Sequence, residues 1–198
     1  MTTFPNHLAR RLRRGLLVST LAVLAGAVAC DDPFKITAQY PNVDVTFELW
    51  ALDGAPASYP TAVLVPQATA VRLDAAGSFD LAFDIDASGR VTVLPVGTVV
   101  SPISGTRVVE FQRGTGTYNT IVEAPKAGWQ ADSTLTVNEG QSFLVKVNTL
   151  YCQYDLQQVV YAKFVVDSVI PAERRMKISA RINPNCGFRS FLSGVPEF

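Results

Sequence analysis

Phe79-Asp80-Leu81-Ala82-Phe83-Asp84-Ile85-Asp86-Ala87-Ser88-Gly89-Arg90-Val91-Thr92-Val93-Leu94 is the stretch whose reading decides the fold. Phe79, Leu81, Phe83 and Ile85 alternate with Asp80, Ala82, Asp84 and Asp86. A period of two marks a strand with one buried and one wet face. Ala87-Ser88-Gly89 is a short Gly-bearing loop, and Arg90 to Leu94 resumes as strand, so the stretch reads as a β-hairpin.

The same period runs outward in both directions. Upstream, Val43, Val45, Phe47, Leu49 and Ala51 alternate with Asp44, Thr46, Glu48 and Trp50, which puts Trp50 on the wet side. Short β-rich pieces follow at 61–65 and 69–74. Pro60 and Pro66 bracket the first, which suits an edge strand. Downstream, strands are expected at 106–113, 118–124, 133–137 and 142–148, with loops at 95–105 and 125–132. The last third reads as one long hairpin, 159–168 and 176–183, joined by Ile170-Pro171-Ala172-Glu173-Arg174. No stretch after Cys30 carries a sustained helical period, though 154–158 has room for one turn. About ten or eleven short strands imply an all-β fold, an antiparallel β-sandwich, with a closed or partly open β-barrel as the alternative.

The first thirty residues are of another kind. Arg10, Arg11, Arg13 and Arg14 precede an uncharged run of fifteen residues, Gly15 to Ala29. A basic head, an apolar middle and small residues before a cut site are the parts of a secretory signal. A transmembrane helix needs about 20 residues, more than this run offers. Ala27-Val28-Ala29-Cys30 resembles the lipobox of bacterial lipoproteins. That resemblance implies a leader, 1–29, cut before Cys30, and a diacylglyceryl group on the Cys30 thiol. Ala27 stands where the family favours Leu. A conventional cut after Ala29 would instead free a soluble chain. Arg13-Arg14-Gly15-Leu16-Leu17 resembles the core of a twin-arginine signal, with Leu12 in place of Ser or Thr. Asp31 resembles the inner-membrane retention signal of enteric lipoproteins. Residues 30–198 as a whole resemble only uncharacterised bacterial lipoproteins, and no activity comes with that likeness.

Cutting the leader changes the composition. It removes four of the 17 Lys and Arg and none of the 17 Asp and Glu, so residues 30–198 carry a net charge of −4. An acidic chain lacks the basic face that nucleic acid requires. It also lacks a polybasic patch for the membrane, so the lipid would anchor alone. The one histidine, His7, leaves with the leader. That excludes Ser-His-Asp and Cys-His catalysis and His-ligated zinc from the exported chain. A chain of this length can form one domain burying about 70% of its unfolded surface.

Four constellations remain. Cys152 and Cys186 flank the final hairpin, whose closure brings them within reach, and an oxidising compartment would join them. A bridge over so long a loop would stabilise the fold by about 3–4 kcal/mol. Asp84-Ile85-Asp86-Ala87-Ser88-Gly89 imitates the opening of a calcium loop. The twelfth position, where that loop needs Glu, is Pro95, and the flanks are strands, so the sequence implies no metal. Asp84 and Asp86 share a face about 6–7 Å apart, the spacing of a hydrolytic carboxylate pair, but no apolar pocket is evident to raise one pKa. Trp50 and Trp129, with Tyr151, Tyr154 and Tyr161, are candidates for a ligand platform or for packing. The expectation is an exported, membrane-anchored protein with no cofactor and a non-catalytic binding or scaffolding role. Docking of another envelope protein comes first, a small-ligand or glycan binder second, a carboxylate hydrolase last.

Overall fold

A computed structural model describes residues 37–75, 78–100, 107–131, 133–152 and 157–196. The leader, Cys30, Asp31 and Tyr154 lie outside the described residues. The deciding stretch forms β4 (Leu81–Ile85) and β5 (Val91–Pro95), paired antiparallel from Leu81↔Pro95 to Ile85↔Val91. Asp86 closes their loop, its Oδ1 accepting the N–H groups of Ser88 and Arg90. Gly89 sits there at φ +78°, a region glycine enters without a Cβ clash.

β4 and β5 are the middle of a five-stranded antiparallel sheet. β2 (Ala62–Leu64) and β3 (Thr69–Val71) lie on one side and β8 (Leu135–Val137) on the other, in the order β3-β2-β4-β5-β8. The second sheet has six strands, ordered β1 (Val43–Trp50), β11 (Arg175–Asn183), β10 (Val159–Ile170), β9 (Ser142–Asn148), β6 (Val109–Arg113) and β7 (Gln130–Ala131). Neither sheet closes on itself, so the fold is a sandwich and not a barrel. The inward residues of both sheets form one core. Leu81, Phe83, Val91 and Val93 face Phe47, Leu49, Phe143, Val145, Phe164 and Ile178, all nearly inaccessible to water. Branched and aromatic side chains at alternate positions are what a half-buried pleated surface selects.

The six-stranded sheet is covered on its outer face as well. Leu144 and Tyr161 alternate with core residues and so point away from the core. They meet Ile121 and Ala124 of the 114–129 segment and Phe191 of the C-terminal tail in a second apolar cluster. Phe191 N–H donates to the Val122 carbonyl and Ala124 N–H to the Arg189 carbonyl.

Several expectations are corrected. The 61–65 piece is interior, not an edge; β3 takes the edge. Its prolines flank the ladder without interrupting it, so they impose no edge position. Asp80 and Ala82 are fully buried, not on a wet face. Residues 118–124 form no strand beyond an isolated bridge between Glu123 and Ser190. Their carbonyls serve a buried lysine, described below, instead of a ladder. The expected loops hold a single helical turn, α1 (Val96–Val99), and the two-residue β7. A short 3-10 turn occupies Leu150–Cys152. Cys152 and Cys186 are disulfide-bonded, with Cα atoms 5.7 Å apart, which closes the end of the β10–β11 hairpin as expected.

Candidate functional site

Asp84 and Asp86 are each held by an arginine. Arg174 Nη2 donates to Asp84 Oδ1 at 2.7 Å, and the same guanidinium reaches the carbonyls of Ile85 (2.6 Å) and Asp53 (2.9 Å). Arg174 thus ties the tip of the β10–β11 hairpin to the opposite sheet. Arg90 Nε donates to Asp86 Oδ2 at 2.8 Å. Hydrogen bonds from the Arg90 backbone and side chain hold the Asp86 carboxyl below its ordinary range. Both carboxyls are thus engaged by guanidinium groups. Among the described residues no cluster of three His, Cys, Asp or Glu could hold a metal.

The two tryptophans sit apart. Trp50 ends β1 opposite Arg175 and stacks on Tyr59, with ring centroids 4.5 Å apart. Trp129 tilts against Tyr161 at 5.7 Å and donates its Nε1–H to the Pro125 carbonyl. Tyr161 pairs with Asn183 at the other end of β11, about 26 Å of strand from Arg175. Trp129 packs against the outer apolar cluster, and Tyr151 is exposed beyond the end of β9. Among the described residues these aromatics form no shared platform.

A cleft of about 690 Å³ opens over the outer face of the six-stranded sheet, lined by Val122, Lys126, Gln157, Tyr161, Arg189 and Leu192 among others. An ion pair between Arg189 and Glu123 spans its wall, and Arg189 Nη1 also donates to the Ala124 carbonyl. Beneath the same cover lies Lys163, nearly inaccessible to water. Its Nζ donates to the carbonyls of Tyr118 (2.7 Å) and Ile121 (2.9 Å) and stands 4.4 Å from the Tyr118 ring centroid. Burial, aided by the Arg181 charge, pushes the Lys163 pKa down. Burial also pushes the Tyr118 hydroxyl up to about 12. Asp80 is the matching buried anion: Oδ2 accepts the Val65 N–H at 2.7 Å and Oδ1 accepts Arg107 at 3.0 Å. Burial pushes its pKa up. Sequence reading missed both groups. Their positions in an alternating pattern look solvated, and only the cover from distant segments removes the water.

The remaining feature is the edge of β1. Ala51 N–H points to the β11 side, where it meets the Arg174 carbonyl, whereas Trp50 N–H points away and meets the Pro60 carbonyl. With a period of two, the backbone groups of Asp44, Thr46 and Glu48 also face away from β11. The chain is pinned at both ends of this window, by Asn42 N–H on the Gly194 carbonyl and by Trp50 on Pro60. Among the described residues, nothing pairs with the outward N–H groups between them. Cross-strand arginines hold the acidic side chains of the window, Arg181 on Asp44 and Arg175 on Glu48.

The fold and these features define an antiparallel β-sandwich with a disulfide at one end, an outer-face cleft and an open edge along part of β1. No protein-family model matches the chain, and no curated protein or solved structure matches it either. Among the described residues no helix is long and apolar enough to cross a membrane.

Proposed function

We propose that the chain is a lipid-anchored bacterial envelope lipoprotein. Its sandwich is a non-catalytic docking module that accepts an extended segment of another envelope protein along β1. The lipobox-like Ala27-Val28-Ala29-Cys30 supports the anchor, and the Cys152–Cys186 disulfide suits an oxidising compartment. The observation that carries docking is the open window at Asp44, Thr46 and Glu48. An added strand gains affinity from such unpaired backbone groups and specificity from alternate side chains.

Arg181 and Arg175 already neutralise Asp44 and Glu48, so the edge would recognise an added strand through its backbone groups and the side chains at alternate positions. The arginine-bound carboxylates described above, and the absence of histidine from residues 30–198, argue against a hydrolase.

The test is Thr46→Pro. The Thr46 N–H is not used in the β11 ladder, so proline removes an edge donor without removing a sheet hydrogen bond. A photocrosslinker at Glu48, in cells with the native envelope, is expected to give a discrete adduct that Thr46→Pro abolishes, while a probe at Ser88 gives none. An edge that gives no adduct, or one indifferent to the proline, overturns docking at β1. A second reading, a small ligand in the cleft, is favoured by its volume, which lies within the range of small-molecule sites, about 300–1,000 Å³. Native mass spectrometry with a co-purifying mass would support it.

A further inference from the structure

We propose that the end of the sandwich where the chain enters rests directly on the lipid bilayer, as a second contact beside the anchor. The proposal builds on lipidation at Cys30.

Among the described residues the two ends of the molecule differ in charge, the adjoining Arg181 and Arg189 being held by Asp44 and Glu123. At the entry end, β1 and β10 begin and β9 and β11 finish. The segments that meet there, 37–43, 147–152, 182–188 and 191–196, contain no Asp, Glu, Lys or Arg. Hydrogen bonds bring them together. Asn185 Oδ1 accepts from the Gln39 and Tyr40 N–H groups, and Asn42 Nδ2 donates to the carbonyls of Ser190 and Leu192. The Cys152–Cys186 bridge joins 147–152 to 182–188. At the opposite end, the tip of β10–β11 and the β4–β5 loop meet, with Gly89 against Pro171. That end holds Asp84, Asp86, Arg90, Glu173, Arg174 and Arg175 in ion pairs.

The uncharged end also exposes apolar side chains. Leu150 is 73% exposed, Leu192 57% and Tyr151 57%, with Tyr40, Val108 and Val195 about half exposed. Val108 belongs with them because Asn148 N–H donates to its carbonyl, and Arg107 beside it is held by buried Asp80. Scattered apolar residues need no explanation, but their convergence on one uncharged end marks a surface that meets something apolar. Leucine, valine and tyrosine without charge fit the bilayer boundary, where tyrosine is enriched.

Chain length favours the bilayer over a protein as the occupant. Residues 31–36 separate Cys30 from the first described residue, and seven residue steps reach at most about 25 Å. A lipid on Cys30 therefore keeps this end close to the membrane. Stable membrane attachment characteristically combines two signals. This chain has no basic patch to supply the second electrostatically, and the apolar end supplies it by burial.

The experiment uses the full exported chain, reconstituted into zwitterionic vesicles whose acyl chains are brominated, with Trp50→Phe and Trp129→Phe as background. Single reporters Leu150→Trp, Leu192→Trp and Ile170→Trp are compared by fluorescence. The expected result is a blue shift and strong quenching at 150 and 192, none at 170, and no reversal by salt, since apolar contact is not screened. Should the background variant fail to fold, hydrogen exchange of the unmutated chain replaces it. Amides 149–152 and 192–195 are then protected on vesicles relative to detergent-free chain released by lipase. A lipidated Cys30 with no quenching and no protection overturns the bilayer contact and leaves the anchor standing. Where both readouts are obtained, protection without quenching at 150 and 192 places a second copy of the chain there instead and also overturns it. A chain without lipid on Cys30 overturns both.

Discussion

Replacing Lys163 with methionine should release the outer cover of the six-stranded sheet and leave the sandwich intact. The ammonium makes two charge-assisted hydrogen bonds, to the carbonyls of Tyr118 and Ile121, and lies over the Tyr118 ring. Bonds of this kind contribute about 1.5–3 kcal/mol each, and losing their donor leaves the two acceptors unpaired. Relief from burying the charge offsets part of that loss, since burial already pushes the Lys163 pKa down. Methionine keeps the stem and its packing. The net loss is about 3 kcal/mol, local to the segment that Lys163 holds. Native-state hydrogen exchange reads it directly. The Ala124 and Phe191 amides, which bridge the segment and the tail, should lose protection by roughly 100-fold, as 1.4 kcal/mol is tenfold. Core amides of β9 and β10 should change little. Unaltered protection at Ala124 and Phe191, or uniform loss across the core, would refute the assignment of Lys163 as the clasp of the cover.

Three further outcomes follow from the same contacts. Arg107→Met leaves Asp80 as an uncompensated buried anion and should destabilise the fold by about 2–3 kcal/mol at pH 7, somewhat below a dry pair because Arg107 is a quarter exposed. Burial raises the folded Asp80 pKa above 3.8, so the deficit shrinks as pH falls through that raised value; urea unfolding at about pH 7 and pH 4 checks this. Replacing both Cys152 and Cys186 by serine opens a loop whose ends are 34 residues apart and should lower stability by about 4 kcal/mol on the loop-entropy relation, read from denaturant midpoints. The Tyr118 hydroxyl, raised from 10.0 to about 12 by burial and then by the Asp44 charge, contributes stability that is fully present below pH 10 and is lost as pH climbs toward 12; phenolate absorbance should show this tyrosine titrating last.

The sandwich was legible where one face of a strand is wet and the other dry. β9 spans the expected residues 142–148, and the β10–β11 hairpin and its flanking disulfide follow from alternation and from where the cysteines fall. What misled was coverage from afar. Asp80 reads as solvated from the alternation but is buried where Val65 and Arg107, 27 residues on, hold its carboxylate. Residues 118–124 have a strand's composition because they lie flat on a sheet, yet the Tyr118 and Ile121 carbonyls cap Lys163 and only an isolated bridge forms. Asp84 and Asp86 read as a wet strand face, whereas each is half-buried and held by an arginine. Arg90 lies four residues from Asp86, but the partner of Asp84 could not be read, since Arg174 is 90 residues away. The open window on β1 depends on which strand takes the neighbouring position, and that is a property of sheet order alone.

The central claim is an exported chain anchored through Cys30. Intact-mass spectrometry of the full-length product, extracted in mild detergent from a bacterial envelope, tests it most directly. The account predicts a chain beginning at Cys30, carrying a diacylglyceryl group, and two hydrogens lighter than the reduced form because Cys152 and Cys186 are joined. A chain that retains residues 1–29, or one that begins at an unmodified Cys30, would contradict it.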